Sequence, residues 1–259
     1  MALNREITRE QLNGFAESSV KVTSCSNASK LFYKLLKCSD RTPGVNNLAM
    51  AIENALYDAT ACVATYNPET EQETRTQCID ALVNAISNTL NIKYREEKGG
   101  KRGSSSITDY LFEETNNGLT TKFVIEAKKL TNKIFNSRNE IDATKASQCA
   151  KYMSTSSNGH GYSVVLLTNG RNMALFIDGV VNCKNSKNTN WQPLRDTTKP
   201  ILTLSCYSIS KEACKVLSYI IIQTLKGNEN RVLECIRDVY ENEVDTLETE
   251  FTNRGIVII

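Results

Sequence analysis

Residues 105–128 read SSITDYLFEETNNGLTTKFVIEAK, and the fold turns on how this stretch pairs with itself. Segments 105–114 and 120–128 are rich in β-formers, and Asn116-Asn117-Gly118 between them is a strong two-residue hairpin signal. With Asn117 and Gly118 as the central turn residues, Asn116 faces Leu119 and every cross-strand pair sums to 235 in residue number. Asp109 then stands opposite Glu126, with Cβ atoms roughly 4.5–5.5 Å apart. Lys128 shares the face of Glu126, because strand side chains repeat every second residue. Two carboxylates and one ammonium converge on a single patch.

Working outward, segment 139–154 returns to helical spacing, with Ala143, Ala146, Ala150 and Met153 as inner positions. Tyr162 to Thr168 (YSVVLLT) is continuously apolar, as a central strand covered on both faces would be. It is expected to run parallel to Thr121–Lys128 through a right-handed crossover over the 139–154 helix. Asn169-Gly170 then turns it into a strand over Met173–Ile177. Phe123, Ile125, Val164, Leu166, Ala174 and Phe176 are the predicted core of this sheet. A strand at 200–207 and helices near 210–226 and 228–250 follow, after a stretch over 182–199 that has neither period and reads as a long surface loop. Upstream, Leu31, Phe32, Leu35 and Leu36, then Leu48, Ile52, Leu56 and Tyr57, then Ile79, Leu82, Val83 and Ile86 recur at helical spacing. Asn67-Pro68 and Asn88–Asn91 punctuate them. The order predicts an α/β fold built around one βαβ unit.

Composition bounds the function. The 259 residues are 40% hydrophobic and 23% charged, with 12 Gly and 4 Pro, which excludes collagen-like, mucin-like and wholly disordered chains. A formal net charge of +2 confines any nucleic-acid surface to a local patch. Nine Cys without a CxxC pair, and a single His, exclude a zinc finger and read as reduced, buried thiols of a cytoplasmic or nuclear protein. The opening MALNREITRE lacks the apolar core of a secretory signal, and the longest apolar run, Val216–Leu225, is far below the ~20 residues of a membrane span. No membrane partner is expected.

Paired carboxylates at hairpin distance repel unless a cation sits between them, and oxygen-only ligands suit Mg²⁺ or Mn²⁺. Such an ion activates water and neutralises charge on a phosphate. An exposed salt bridge at a strand edge is the plainer reading of Asp109, Glu126 and Lys128. Against it stands the setting of Glu126 between Phe123-Val124-Ile125 and Ala127, where an unpaired carboxylate is costly.

Ile107-Thr108-Asp109 on one strand and Val124-Ile125-Glu126-Ala127-Lys128 on the next resemble the motif of the PD-(D/E)xK nuclease superfamily, with Thr108 where the name-giving Pro would stand. Gln148-Cys149-Ala150-Lys151-Tyr152 resembles the QxxxY motif of its exonuclease-like and type I restriction-like branches. Val164 to Gly170, followed by Met173–Phe176, resembles the strand, TNG turn and strand closing the core in type I restriction motor subunits. The resemblance covers roughly residues 70–180. It implies a restriction-endonuclease-like αβββαβ core with a mixed sheet over 69–208, helical extensions at 1–68 and 209–259, and a metal-dependent nuclease that cuts DNA in preference to RNA.

In the roles the resemblance implies, Asp109 and Glu126 bind Mg²⁺ or Mn²⁺, Lys128 orients the nucleophile, and Gln148 and Tyr152 steady the site and the scissile phosphate. It also implies a Glu from the preceding helix. Among Glu69, Glu71 and Glu73, Glu73 is favoured, since Glu73-Thr74-Arg75 resembles the family's opening of that helix. Acidic residues in a first helical turn are equally expected from the helix dipole. Lys98, Lys101 and Arg102 ahead of the Asp strand, and Lys129 and Lys133 after it, read as contacts to a phosphate backbone or as an ordinary solvated charge run. His160 falls in a loop and takes no part. The alternative function is a catalytically inactive, nuclease-fold protein that binds nucleic acid or a host partner. Oligomeric state, a homodimer included, is left open.

Overall fold

The structure, a computed structural model, describes residues 6–21, 30–96, 109–116, 119–136, 141–153, 164–177, 200–206 and 210–259. A short strand, β1 (Glu6–Ile7), leads into helices α1 (Arg9–Lys21), α2 (Lys30–Ser39) and α3 (Val45–Tyr66). A further helical run comprises α4 (Glu71–Thr74), a π-helical turn over Arg75–Ile79, and α5 (Asp80–Leu90). Helices α3 and α5 each end on an asparagine in the left-handed conformation, Asn67 at φ 42° and Asn91 at φ 54°. These are the breaks the sequence places there, because Asn tolerates positive φ better than other side chains.

Strands β2 (Tyr94–Glu96), β3 (Tyr110–Asn116) and β4 (Leu119–Ala127) follow, then helix α6 (Ala143–Met153), and then β5 (Val164–Thr168), β6 (Asn172–Ile177) and β7 (Leu202–Ser205). Helices α7 (Lys211–Leu225) and α8 (Asn230–Asn253) precede β8 (Val257–Ile258), which pairs in parallel with β1. The other six strands form one mixed sheet in the order β2-β3-β4-β5-β6-β7. Only its β4–β5 pair is parallel.

The register matches the hairpin arithmetic. Asn116 pairs with Leu119 and Tyr110 with Ile125. β4 and β5 pair in parallel from Phe123–Val164 to Ala127–Thr168, with α6 in the connection between them. The β5–β6 turn is held by Asn169, whose Oδ1 accepts from the amides of Arg171 and Asn172. Gly170 sits there at φ +79°, and a Cβ added to it would meet Cys78 Cβ at 3.0 Å. Glycine is required on both counts.

Two apolar layers cover the sheet. Tyr110, Phe112, Phe123, Ile125, Val164 and Leu166 join one cluster with side chains from α1, α2, α3, α5, α7 and α8. Leu111, Val124, Val165, Leu167, Ala174 and Phe176 form a second with Ala146, Cys149, Tyr152 and Met153 of α6. The six predicted core residues are fully buried. Helices from segments 1–68 and 209–259 thus share one apolar cluster with the sheet. The apolar run at Val216–Leu225 is explained by α7, buried along nearly its whole length between α2, α3 and the sheet. Among the described residues, no helix is long and apolar enough to cross a membrane.

Several local expectations are corrected. The inner stripe of α6 is Ala146, Cys149, Tyr152 and Met153, whereas Ala143 is exposed and Ala150 half-buried. Counting Ala as the inner residue type mis-phased the helix, since Cys and Tyr pack more apolar surface. Tyr57 is 59% exposed, although its spacing matches the buried face of α3. Strand β2 is not among the strands the residue pattern announces; Arg95 and Glu96 are both exposed, which hides their pairing with β3. The surface loop over 182–199 and His160 lie outside the described residues.

Candidate active site

The site sits where β3 begins and β4 ends, within reach of side chains from α6, which packs on β5 and β6. Asp109 lies immediately before β3, and its Oδ2 accepts a hydrogen bond from the Ala127 amide at 2.7 Å. That bond extends the hairpin one step past its last ladder pair and holds Asp109 beside Glu126. Glu126 is 3% exposed and lies on the sheet face that α6 covers, in alternation with its inward neighbours Ile125 and Ala127 on the opposite face. Lys128 continues β4 by donating its amide to Thr168 O at 2.8 Å, and its Nζ is 2.5 Å from Glu126 Oε1.

Helix α6 supplies the other wall. Gln148 Nε2 donates to Glu126 Oε1 and to the Tyr152 hydroxyl, each at 2.8 Å, which the four-residue helical spacing allows. Glu126 Oε1 is therefore held by two donors, while its Oε2 is buried with no hydrogen-bond partner among the described residues. Burial, opposed by the charge of Lys128 and reinforced by that of Asp109, pushes the Glu126 carboxyl up to about 7. Asp109 is also raised, by burial, against the Ala127 amide, Arg75 and Lys128. Burial would lower the Lys128 ammonium, but the charge and hydrogen bond of Glu126, with help from Glu71 and Asp109, leave it raised.

The structure brings Asp109, Glu126, Lys128, Gln148 and Tyr152 together; it does not bring Glu73. The Glu73 carboxylate turns back to accept from the amides of Glu69 and Thr70 at 2.8 and 2.9 Å, while Thr70 Oγ1 accepts from the Glu73 amide, making a capping box at the start of α4. The expected third ligand is a helix cap. Of the two alternatives, Glu71 is the one whose charge reaches Lys128. Among the described residues, no group of three or more His, Cys, Asp and Glu converges to hold a metal.

Arg75 is the site residue whose role the sequence reading missed. Its Nη1 is 3.2 Å from Asp109 Oδ1, its Nε donates to the Tyr110 hydroxyl at 3.4 Å, and its guanidinium lies 4.8 Å from the Tyr110 ring centre. The Tyr110 hydroxyl in turn bonds Asp80. Arg75 opens the π-helical turn, a local rewinding that frequently marks functional positions and that residue spacing does not announce. Of the basic residues, Lys129 is half-buried and its charge reaches Glu73. Lys133 is exposed and lines a cleft of about 350 Å³ with Leu130, Asn169 and Arg171. Lys98, Lys101 and Arg102 lie outside the described residues.

In comparisons with known proteins, no family model, curated protein or solved structure matches this chain.

Proposed function

We propose that this chain is a divalent-metal-dependent nuclease that hydrolyses phosphodiester bonds, with DNA the favoured substrate. The observation that carries the reading is the Glu126 carboxylate: a nearly closed-off acid, one oxygen clamped by Lys128 and Gln148, the other without a partner, and Asp109 beside it. An orphaned buried carboxylate oxygen is costly unless a cation satisfies it. Asp109 and Glu126 offer the hard oxygen donors that Mg²⁺ or Mn²⁺ prefers, and carboxylate oxygens already hydrogen-bonded keep lone pairs for such an ion. A bound cation would supply an activated water and neutralise charge on the phosphate. Lys128 remains an ammonium beside the pair, suited to orient the nucleophile or hold a phosphate oxygen. Gln148 fixes the carboxylate of Glu126, and Tyr152 stands next in the same chain of hydrogen bonds. The element order α5-β2-β3-β4-α6-β5 supports a restriction-endonuclease-like αβββαβ core.

One observation favours a second reading. Arg75 already pairs with Asp109, giving that carboxylate the positive neighbour a metal would give. On this reading the fold binds nucleic acid without cutting it.

Incubating plasmid, linear duplex, single-stranded DNA and RNA with the protein and Mg²⁺ or Mn²⁺ separates the two. The nuclease reading expects DNA cleavage that falls by orders of magnitude in Asp109→Asn and Glu126→Gln. Lys128→Ala loses comparable activity while keeping the rise in melting temperature that Mn²⁺ produces. Cleavage by Lys128→Ala at the normal rate, or intact substrates with no Mn²⁺-induced rise in the wild type, would overturn it.

A further inference from the structure

Away from this site, α2 and α8 bring two thiols into contact. Cys38 Sγ lies 3.3 Å from Cys235 Sγ, across 197 residues of sequence. The pair borders a cleft of about 360 Å³ lined by Lys34, Arg41, Tyr219 and Arg231. Cys38 is half-buried, while Cys235 is only 5% exposed. Tyr219 of α7 lines the same cleft beside both cysteines, and Lys34 Nζ of α2 is 3.0 Å from Asp238 of α8. Side chains from three helices therefore surround the two sulfurs.

We propose that Cys38 and Cys235 are a redox-reversible pair that a peroxide converts to a disulfide joining α2 to α8. The sulfurs have to close by about 1.3 Å to reach the ~2.05 Å of a disulfide bond. Cys38, open to the cleft, meets the oxidant first. Its sulfur attacks the peroxide, the O–O bond breaks, and Cys38 becomes a sulfenic acid as one water leaves. The Cys235 sulfur then attacks the Cys38 sulfur, the S–O bond breaks, and the Cys235 proton departs with the hydroxyl as a second water. Two thiols lose two electrons and the peroxide gains them. Burial and the neighbouring Cys38 sulfur hold the Cys235 thiol above its ordinary range, which keeps it protonated and unreactive until Cys38 has been oxidised. A dithiol reductant reverses the bond by exchange. The inference is independent of the nuclease reading, since none of these residues belongs to that site.

The test titrates the full chain with hydrogen peroxide, alkylates the remaining thiols and maps the peptides without reduction. The expected result is a peptide linking Cys38 to Cys235, loss of two of the nine thiols to alkylation, and a melting temperature raised by about 5 °C or more that dithiothreitol reverses. Cys38→Ser, folded as judged by circular dichroism, should lose both the linked peptide and the temperature gain. Oxidation of Cys38 to the sulfinic acid while Cys235 stays alkylatable would overturn the proposal, as would a first link formed between any other two cysteines.

Discussion

Arg75 reaches from the π-helical turn to Asp109, with Nη1 3.2 Å from Oδ1, and both side chains are largely shielded from water. The ion pair connects the helical run over 71–90 to the start of β3 and places a positive charge on the carboxylate the proposed site depends on. Removing one member of a shielded pair leaves the other uncompensated, so Arg75→Ala should destabilise the fold by roughly 3 kcal/mol in the absence of metal. A divalent cation can replace the lost charge. The melting temperature of Arg75→Ala should therefore rise more with Mn²⁺ than that of the wild type, and equal shifts measured by differential scanning fluorimetry would refute a cation-binding role for Asp109.

Glu126 sets a pH dependence whose sign follows from its raised carboxyl. Folding favours the protonated form, so its contribution is fully present below the ordinary value of 4.5 and is lost as pH rises through about 7. Glu126→Gln keeps the shape and stays neutral. Without metal it should be more stable than the wild type at pH 8, by up to about 3 kcal/mol, and the difference should vanish near pH 4.5. Chemical denaturation at the two pH values checks it.

The capping box separates a structural Glu from a ligand. Thr70→Ala should cost about 1 kcal/mol of stability through loss of the helix cap. Glu73→Gln should leave the Mn²⁺-induced rise in melting temperature unchanged. Loss of that rise in Glu73→Gln, with Glu71→Gln unaffected, would return Glu73 to the metal site.

Gly170 tests the turn behind the site. Alanine there must adopt φ +79° and push its Cβ against Cys78, so Gly170→Ala should lose on the order of 2 kcal/mol or more. A melting temperature equal to the wild type would mean that the β5–β6 turn and the π-helical turn carrying Cys78 pack more loosely than a 3.0 Å approach requires.

Much of the sheet was legible in the sequence because its signals are local. A two-residue Asn-Gly connection determines the β3–β4 register, and a period of two then assigns every side chain to a face, so residue spacing alone groups Asp109, Glu126 and Lys128. The continuous apolar run over Val164–Thr168 marked a strand covered on both faces for the same kind of reason. Gln148 and Tyr152 could be paired with each other by helical spacing, but their closing on Glu126 depends on how α6 packs over β5 and β6 next to β4. Glu73 could not be told from Glu71 by spacing, because capping and charge pairing both favour acids in a first helical turn. Arg75 on Asp109 and Cys38 against Cys235 join residues 34 and 197 positions apart, contacts that no period or motif encodes. Sequence by itself determined which residues share a strand or a helix face, since backbone geometry repeats over a few residues. Only the tertiary structure decided which faces meet, because that depends on packing side chains from distant segments into one dense interior.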